Sequence, residues 1–318
     1  MANRSGKGEL VSMAPASLVN PGISINLAGA FLSGRNPRTL LAYRKDLEDF
    51  QSFTMAESIQ TASALLTSQG SGPANALALA YRVHLQERGL APATINRRLA
   101  SLRSIVKLAR VLGMISWGLD VEGIKSSTYR DTRGPGLDGF RKMLESLEEA
   151  RDAKAIRDRA ILRLLFGMAL RRGEVVSLDR SHLDLETGRL SIMGKGRTQR
   201  ESLTIPLKVL DSLKAWMAVR GEEEGPLFHA LDRGHKGHRL DGSAVYRMVS
   251  ELGKTVGLVV RPHGLRHAGI TSALDQTNGN TRMVQRFSRH KKLETLSLYD
   301  DARQDLAGEV ARLVDLGA

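Results

Sequence analysis

The stretch "HLDLETGRLSIMGKGRTQRESLTIP", His182–Pro206, interrupts a chain that elsewhere reads as helix. Its apolar residues come in alternating pairs, Leu183/Leu185, Leu190/Ile192 and Leu203/Ile205, with turn signals at Thr187-Gly188 and at Gly194-Lys195-Gly196. A period of two bounded by glycines is the mark of short strands joined by hairpins. The expectation is a small antiparallel sheet of about three strands set into a mainly α protein.

Outward from this sheet the period returns to that of a helix. Before it, "AIRDRAILRLLFGMAL" (155–170) is a strongly apolar helix that ends against "RRGEVVSL". After it, helices resume at Leu207 and continue to the end. Further upstream, "NPRTLLAYRKDLEDFQSF" (36–53) spaces Leu40, Tyr43, Leu47 and Phe50 at three and four, giving one buried face, with Pro37 suited to a first turn. A loop is expected at "SQGSGP" (68–73), followed by a second helix in "ANALALAYRVHLQERGL". In "APATINRRLASLRSIVKLARVLGMI" (91–115), Ile95, Leu99, Leu102, Val106 and Leu112 form the stripe, while Arg97, Arg98, Arg103, Lys107 and Arg110 lie off it. No acid occurs between Ala91 and Leu112. A helix that is purely basic on its exposed side suits phosphate contact or a DNA groove.

These periods divide the chain. Residues 1–30, rich in Gly, Ser, Ala and Asn, read as a flexible tail. Residues 31–124 form a helical domain, "KSSTYRDTRGPG" (125–136) a linker, and residues 137–318 a second domain containing the sheet.

Composition narrows the partners. Among 318 residues, Lys and Arg number 47 against 34 Asp and Glu, a formal charge of +13. The excess favours a polyanion, nucleic acid first and an anionic membrane surface second. The absence of cysteine excludes disulfides, thiolate metal sites, iron–sulfur clusters and cysteine nucleophiles. No apolar run approaches the ~20 residues of a membrane span, and the first twenty residues lack a signal-peptide core. A cytoplasmic protein, associated with the nucleoid in a bacterium, is expected.

Cofactor motifs are missing. "GKGR" (194–197) and "LGKT" (252–255) lack the upstream glycine of a phosphate loop. In "PHGLRH" (262–267) two histidines stand four apart, but Arg266 between them would repel a dication, and the glutamate of a zinc-protease helix is absent. Neither a metal nor a cofactor is expected. What remains is a set of cations in the second domain: Arg171, Lys195, His263, Arg266 and His290. Arg266 follows His263 by three, so both can project from one side of a helix opening at Pro262. Three of them also have a plain structural reading: Glu174 as the ion-pair partner of Arg171, a solvated hairpin turn for Lys195, and a surface position in a basic run for His290. Tyr299, nine residues beyond His290, is one of only five tyrosines; packing alone would account for it.

In order and separation, these groups resemble the tyrosine recombinase (phage integrase) family. The family's Gly-Leu-Arg-x-x-Glu-Leu box is matched by "ALRRGEV" with Arg171 and Glu174, and its Gly-Lys-Gly hairpin by Lys195. Its His-x-x-Arg-His box is matched by "HGLRH", and its His followed nine residues later by Tyr is matched by His290 and Tyr299. The first half is similar to the helical core-binding domain that clamps DNA opposite the catalytic domain. Two departures stand out: Ala169 where Gly is common, and Ser-Arg-His in place of Leu-Gly-His. The resemblance implies a two-domain DNA clamp of the Xer-like simple kind, with no arm-binding domain in the first 30 residues.

It further implies that Tyr299 attacks a DNA phosphodiester to give a 3′-phosphotyrosyl bond, which a 5′-hydroxyl of a partner duplex then reverses, so no cofactor is needed. Arg171 and Arg266 would neutralise the transition state, His263 assist proton removal from Tyr299, Lys195 protonate the departing oxygen and His290 hydrogen-bond the phosphate. Glu174 and His267 would orient these groups. DNA contacts are expected from Arg97, Arg98, Arg103 and Lys107, and from Arg286 and Arg289 in "RMVQRFSRHKK" (282–292). The partner implied is a double-stranded recombination site bound by a homo-oligomer, a tetramer on synapsed DNA. The last helix, with Leu306, Val310 and Leu313 on one face, packs on its own domain or on a neighbouring protomer; both readings stay open. The rivals are a type IB topoisomerase-like relaxing enzyme, which shares the chemistry, and a non-catalytic DNA-binding regulator, which would lack one of the six groups.

Overall fold

The computed structural model describes residues 26–33, 37–125, 134–148, 150, 152–194, 199–297 and 306–315. The chain divides between residues 128 and 129 into two compact units, a break that falls within 125–136.

The first unit is helical: α1 (Leu27–Leu32), α2 (Pro37–Thr54), α3 (Ile59–Ser68), α4 (Ser71–Glu87) and α5 (Pro92–Val111). Leu47 and Phe50 of α2, Leu66 of α3, Tyr81 and Leu85 of α4, and Ile95, Leu99, Leu102 and Val106 of α5 fill one core. Three expectations change. Residues 26–30 do not belong to a free tail, because Asn26 caps α1 by accepting from the Gly29 N–H and α1 buries Leu27 and Phe31 in that core. Leu112, assigned to the α5 stripe, follows the helix end and is exposed. "SQGSGP" is only partly loop, since α4 opens at Ser71.

Two carboxylates tie this unit together from within. Asp46 on α2 is buried, accepts from Ser101 Oγ at 2.7 Å and pairs with Arg97. Asp49, one turn on, accepts from Tyr81 Oη at 2.7 Å and pairs with Arg98 at 2.7 Å and Arg88 at 3.0 Å. After α5 the chain lies back along it: Asn96 exchanges two hydrogen bonds with the backbone of Ile124, and Arg103 donates to the Val121 carbonyl at 2.7 Å.

The second unit is built on α7 (Ala153–Gly167), whose Ile161, Leu162, Leu164 and Leu165 are all buried. Against it pack α6 (Gly136–Glu148), α9 (Leu207–Arg220) and α11 (Pro262–Gln276). Between α7 and α9 come α8 (Arg172–Val176) and the strands β1 (Leu183–Asp184), β2 (Arg189–Met193) and β3 (Arg200–Thr204). The sheet is antiparallel in the order β1-β2-β3, with Leu183 opposite Leu190 and Leu190 opposite Leu203. Leu190 and Ile192 turn into the core, as the alternation requires. The remaining helices are α10 (Gly242–Thr255), α12 (Thr281–Ser288), α13 (Glu294–Ser297) and α14 (Leu306–Asp315). The side chains of Leu306, Val310 and Leu313 lie outside the described residues. No helix among the described residues is long and apolar enough to cross a membrane.

Helices α7 and α11 meet at a glycine. A Cβ placed on Gly269 would collide with the Phe166 carbonyl oxygen, a backbone atom that cannot swing aside. Gly269→Ala should therefore destabilise the second unit by about 1–3 kcal/mol, the usual cost of overpacking. Urea unfolding of the two proteins measures this, and equal midpoints would refute the close approach.

Candidate active site

The site begins where α7 ends. Met168 closes the helix, and Ala169 takes a left-handed conformation, φ +46°. The Ala169 N–H returns to the Phe166 carbonyl at 3.3 Å, the five-to-two bond of a helix C-terminal motif, and the Leu170 N–H reaches back to the Leu164 carbonyl at 3.1 Å. That reversal suits glycine best, because an L-residue adopts this backbone only at a cost. Ala169 accepts it as a fully buried methyl beside Ile270, Val284 and Leu296.

The reversal also delivers Arg171 to the head of α8. Its backbone N–H donates to Glu174 Oε2 at 2.8 Å and its guanidinium Nη1 to Glu174 Oε1 at 2.8 Å. Glu174 stands in the first turn, where a carboxylate satisfies a free N–H and complements the helix dipole. Burial alone would push its carboxyl up. The Arg171 N–H, the charge of Arg289 and the Arg171 side chain outweigh that and hold it below the usual carboxylate range.

Arg266 arrives from α11 and is almost wholly buried, at 1% exposure. Its Nη1 donates to the Ala169 carbonyl and its Nη2 to that of Ser288, and Nη2 lies 3.3 Å from His290 Nε2. His263, one turn earlier on α11, is exposed. His267 is buried, with Nδ1 3.4 Å from Thr271 Oγ1. The four-residue histidine pair thus spans two different environments, one imidazole outside and one inside.

His290 follows α12. Its Nδ1 lies 3.1 Å from Ser288 Oγ and its carbonyl accepts from Gln285 Nε2 at 3.2 Å. With Nε2 facing a guanidinium donor, this pattern fits the neutral tautomer protonated on Nδ1. Burial first, then the charges of Arg266, Arg171, Arg289 and His263, push the imidazole down to about 4. Four candidate residues, Arg171, His263, Arg266 and His290, therefore share one electrostatic field, although they come from three separate segments.

Other expectations place differently. Arg289, expected on the DNA-facing surface, is buried: its guanidinium reaches Glu174 and the carbonyls of Met168, Ala169 and Phe287. Arg98 and Arg103 are held by Asp49 and the Val121 carbonyl, and Arg97 is exposed but paired with Asp46. Lys107 and Arg286 are exposed. Lys195 and Tyr299 lie outside the described residues. Sequence reasoning did not find the Ala169 and Ser288 carbonyls, because backbone acceptors leave no residue signature. The signal for Arg289 was present in Ser-Arg-His, where a glycine is usual.

Residues 138–305 match the model of the phage integrase family. A tyrosine recombinase of Synechococcus elongatus is 43% identical over 282 residues, covering 86% of this chain and 88% of that protein. The chain belongs to the phage integrase family. A second tyrosine recombinase, from Synechocystis, is 39% identical over 287 residues, 88% of this chain and 91% of the relative. The tyrosine recombinase XerC of Escherichia coli O157:H7 is 29% identical over 279 residues, 83% of this chain and 85% of that one. In fold, the chain resembles the Tn1549 transposon integrase solved with transposon right end DNA, with a TM-score of 0.68 and 14% identity over 92% of this chain and all of that one. It likewise resembles XerH on difH in a post-cleavage complex, at 0.65 and 19% identity over 87% of this chain and 80% of that one. As a tyrosine recombinase, the protein cleaves and rejoins DNA at specific sites through a tyrosine-linked intermediate.

The neutral state of His290 has a measurable consequence for this recombinase. A group whose pKa is depressed on folding contributes stability that is complete above its unfolded value, about 6.5 for imidazole, and is lost as the pH falls toward the folded value. Urea midpoints should therefore drop as the pH is lowered from about 7 to 4.5, and drop less steeply in His290→Gln. Parallel slopes for the two proteins would show that His290 is not held neutral.

Proposed function

We propose that Tyr299 is the nucleophile and that Arg171, Arg266, His263, His290 and Lys195 serve it, the observation carrying the reading being the convergence of two arginines and two histidines on one field. The phosphoryl centre gains negative charge on its non-bridging oxygens as Tyr299 attacks. Fixed guanidinium donors facing such charge are worth roughly 3 kcal/mol each in comparable oxyanion sites. Arg171 is held by Glu174, and Arg266 by two carbonyls. Neither therefore needs to reorganise when the anion arrives, which is what makes a donor effective.

Deprotonation of the attacking phenol is the harder task, because free tyrosine titrates near about 10. His263, exposed one turn before Arg266, is the group assigned to receive that proton. His290 takes a different part. Neutral among cations in the free protein, it gains a proton more readily once a phosphate offsets those charges, and Nε2 then becomes a donor to a phosphate oxygen. Lys195, between β2 and β3, is assigned to the 5′-oxygen as general acid. Cleavage transfers the 3′-phosphoryl group to Tyr299 and frees a 5′-hydroxyl; attack by a 5′-hydroxyl from the partner duplex returns the tyrosine.

Exposed Lys107 and Arg286 are proposed to contact backbone phosphates. A tetramer on two synapsed duplexes is proposed as the working assembly, acting on DNA in the cytoplasm. Incubating the protein with nicked duplexes tiled across the DNA flanking its own coding sequence tests the reading. Covalent adducts should form with chelator present and disappear in Tyr299→Phe; adducts that survive that substitution would remove Tyr299 as nucleophile. Lys195→Ala should slow cleavage by 10²-fold or more and recover when the scissile 5′-oxygen is replaced by sulfur, a better leaving group. No recovery would remove Lys195 as general acid.

A further inference from the structure

Arg289 is the least expected residue in the second unit. It ends α12 with a left-handed backbone, φ +58°, where glycine is the usual choice, and its side chain is 5% exposed. Burying a guanidinium is unfavourable unless every charge and donor finds a partner. Arg289 reaches four acceptors: Nη1 donates to the carbonyls of Met168 at 3.2 Å and Phe287 at 3.1 Å, and Nη2 to the Ala169 carbonyl at 3.0 Å and to Glu174 Oε2 at 3.2 Å, while its Nε is left without an acceptor among the described residues. Those acceptors belong to the end of α7, to α8 and to α12.

Two of them are shared with the proposed active site. The Ala169 carbonyl also receives Arg266 Nη1, so one oxygen is shared by two guanidinium groups. Glu174 Oε1 receives Arg171, while Oε2 is divided between the Arg171 backbone and Arg289. Both unusual left-handed residues of the unit's site, Ala169 and Arg289, thus meet in a single hydrogen bond. A glycine at 289 would relieve the backbone there but could supply none of these contacts.

We propose that Arg289 is a positioning residue for recombination: by clamping Glu174 and the Met168–Ala169 turn, it fixes the placement of Arg171 and Arg266 and keeps His290 between them. It does not touch the phosphate; it acts through Glu174 and the Ala169 carbonyl. The inference rests on the assignment of Arg171, Arg266 and His290 to the DNA phosphate. Around His290 the charged groups are Arg266 and His263 from α11, Arg171 at the head of α8 and Arg289 itself. Around Glu174 they are Arg171 and Arg289.

The test compares full-length wild type with Arg289→Gly, which suits the left-handed backbone but removes the guanidinium, on the nicked duplexes described above. Arg289→Gly should bind the same duplexes within twofold yet form the covalent adduct at least tenfold more slowly. Combined with Glu174→Gln, it should be no slower than the slower single variant, because the two act through one contact. In DNA-free protein, NMR titration should move the His290 midpoint upward from about 4. An adduct rate within twofold of wild type, rates that multiply in the double variant, or an unmoved midpoint would each overturn the proposal. If Arg289→Gly does not melt cooperatively, Arg289→Lys replaces it: this keeps the charge but not the fork, and should slow the adduct threefold or more. A wild-type rate in that variant overturns the clamp. If wild type itself forms no Tyr299-dependent adduct, the active-site assignment fails, and the His290 titration of Arg289→Lys, which keeps the charge beside the imidazole, decides the clamp: a wild-type midpoint there overturns it.

Discussion

One carbonyl oxygen organises the second unit's functional face. Ala169 leaves α7 in a left-handed turn, and its carbonyl is thereby turned away from the helix ladder toward Arg266 and Arg289. A peptide oxygen has two lone pairs and here both are taken by cations. Had α7 continued one residue further, that oxygen would have been spent on the helix and Arg171 would not stand at the head of α8. The strain of an L-residue at positive φ is therefore tied to the position of the proposed phosphate-binding groups, a common place for a fold to hold such strain. The close approach of α11 to α7 at Gly269 serves the same end, because Arg266 rides on that helix only one turn before the contact.

Charge is arranged differently in the two units. In the second, cations outnumber the carboxylates near them: Glu174 partners both Arg171 and Arg289, while Arg266 leans on backbone dipoles. The surplus is felt by His290, which stays neutral because burial and its neighbours both oppose a further charge. An anion brought into this field meets donors whose positions are already fixed, and part of the cost of ordering them was met in folding.

The architecture was legible because its signals are local and periodic. Leu183, Leu190 and Ile192 announce their strands by alternation, and α2 and α5 announce themselves by threes and fours. The motif residues could be read because their order along the chain survives folding. The features that the sequence hides depend on distance in space. Arg97, Arg98 and Arg103 look like a free basic face until Asp46, Asp49 and the Val121 carbonyl, all remote in sequence, are brought against them. Arg289 lies in a run of lysines and arginines; its place in Ser-Arg-His marks the position as unusual but does not reveal that its side chain turns inward to reach a glutamate 115 residues earlier. Leu27 and Phe31 were missed because six residues are too few to show a period.

The internal ion pairs of α5 bear on how this protein should respond to salt. A free arginine that meets a DNA phosphate displaces a condensed counterion, and that release gives DNA binding its steep dependence on ionic strength. Arg97 and Arg98 already face carboxylates of their own chain. Contacts made through them would exchange one fixed anion for another and release correspondingly fewer ions. Any contact made with DNA through these two arginines would therefore show a shallower salt dependence than their number suggests.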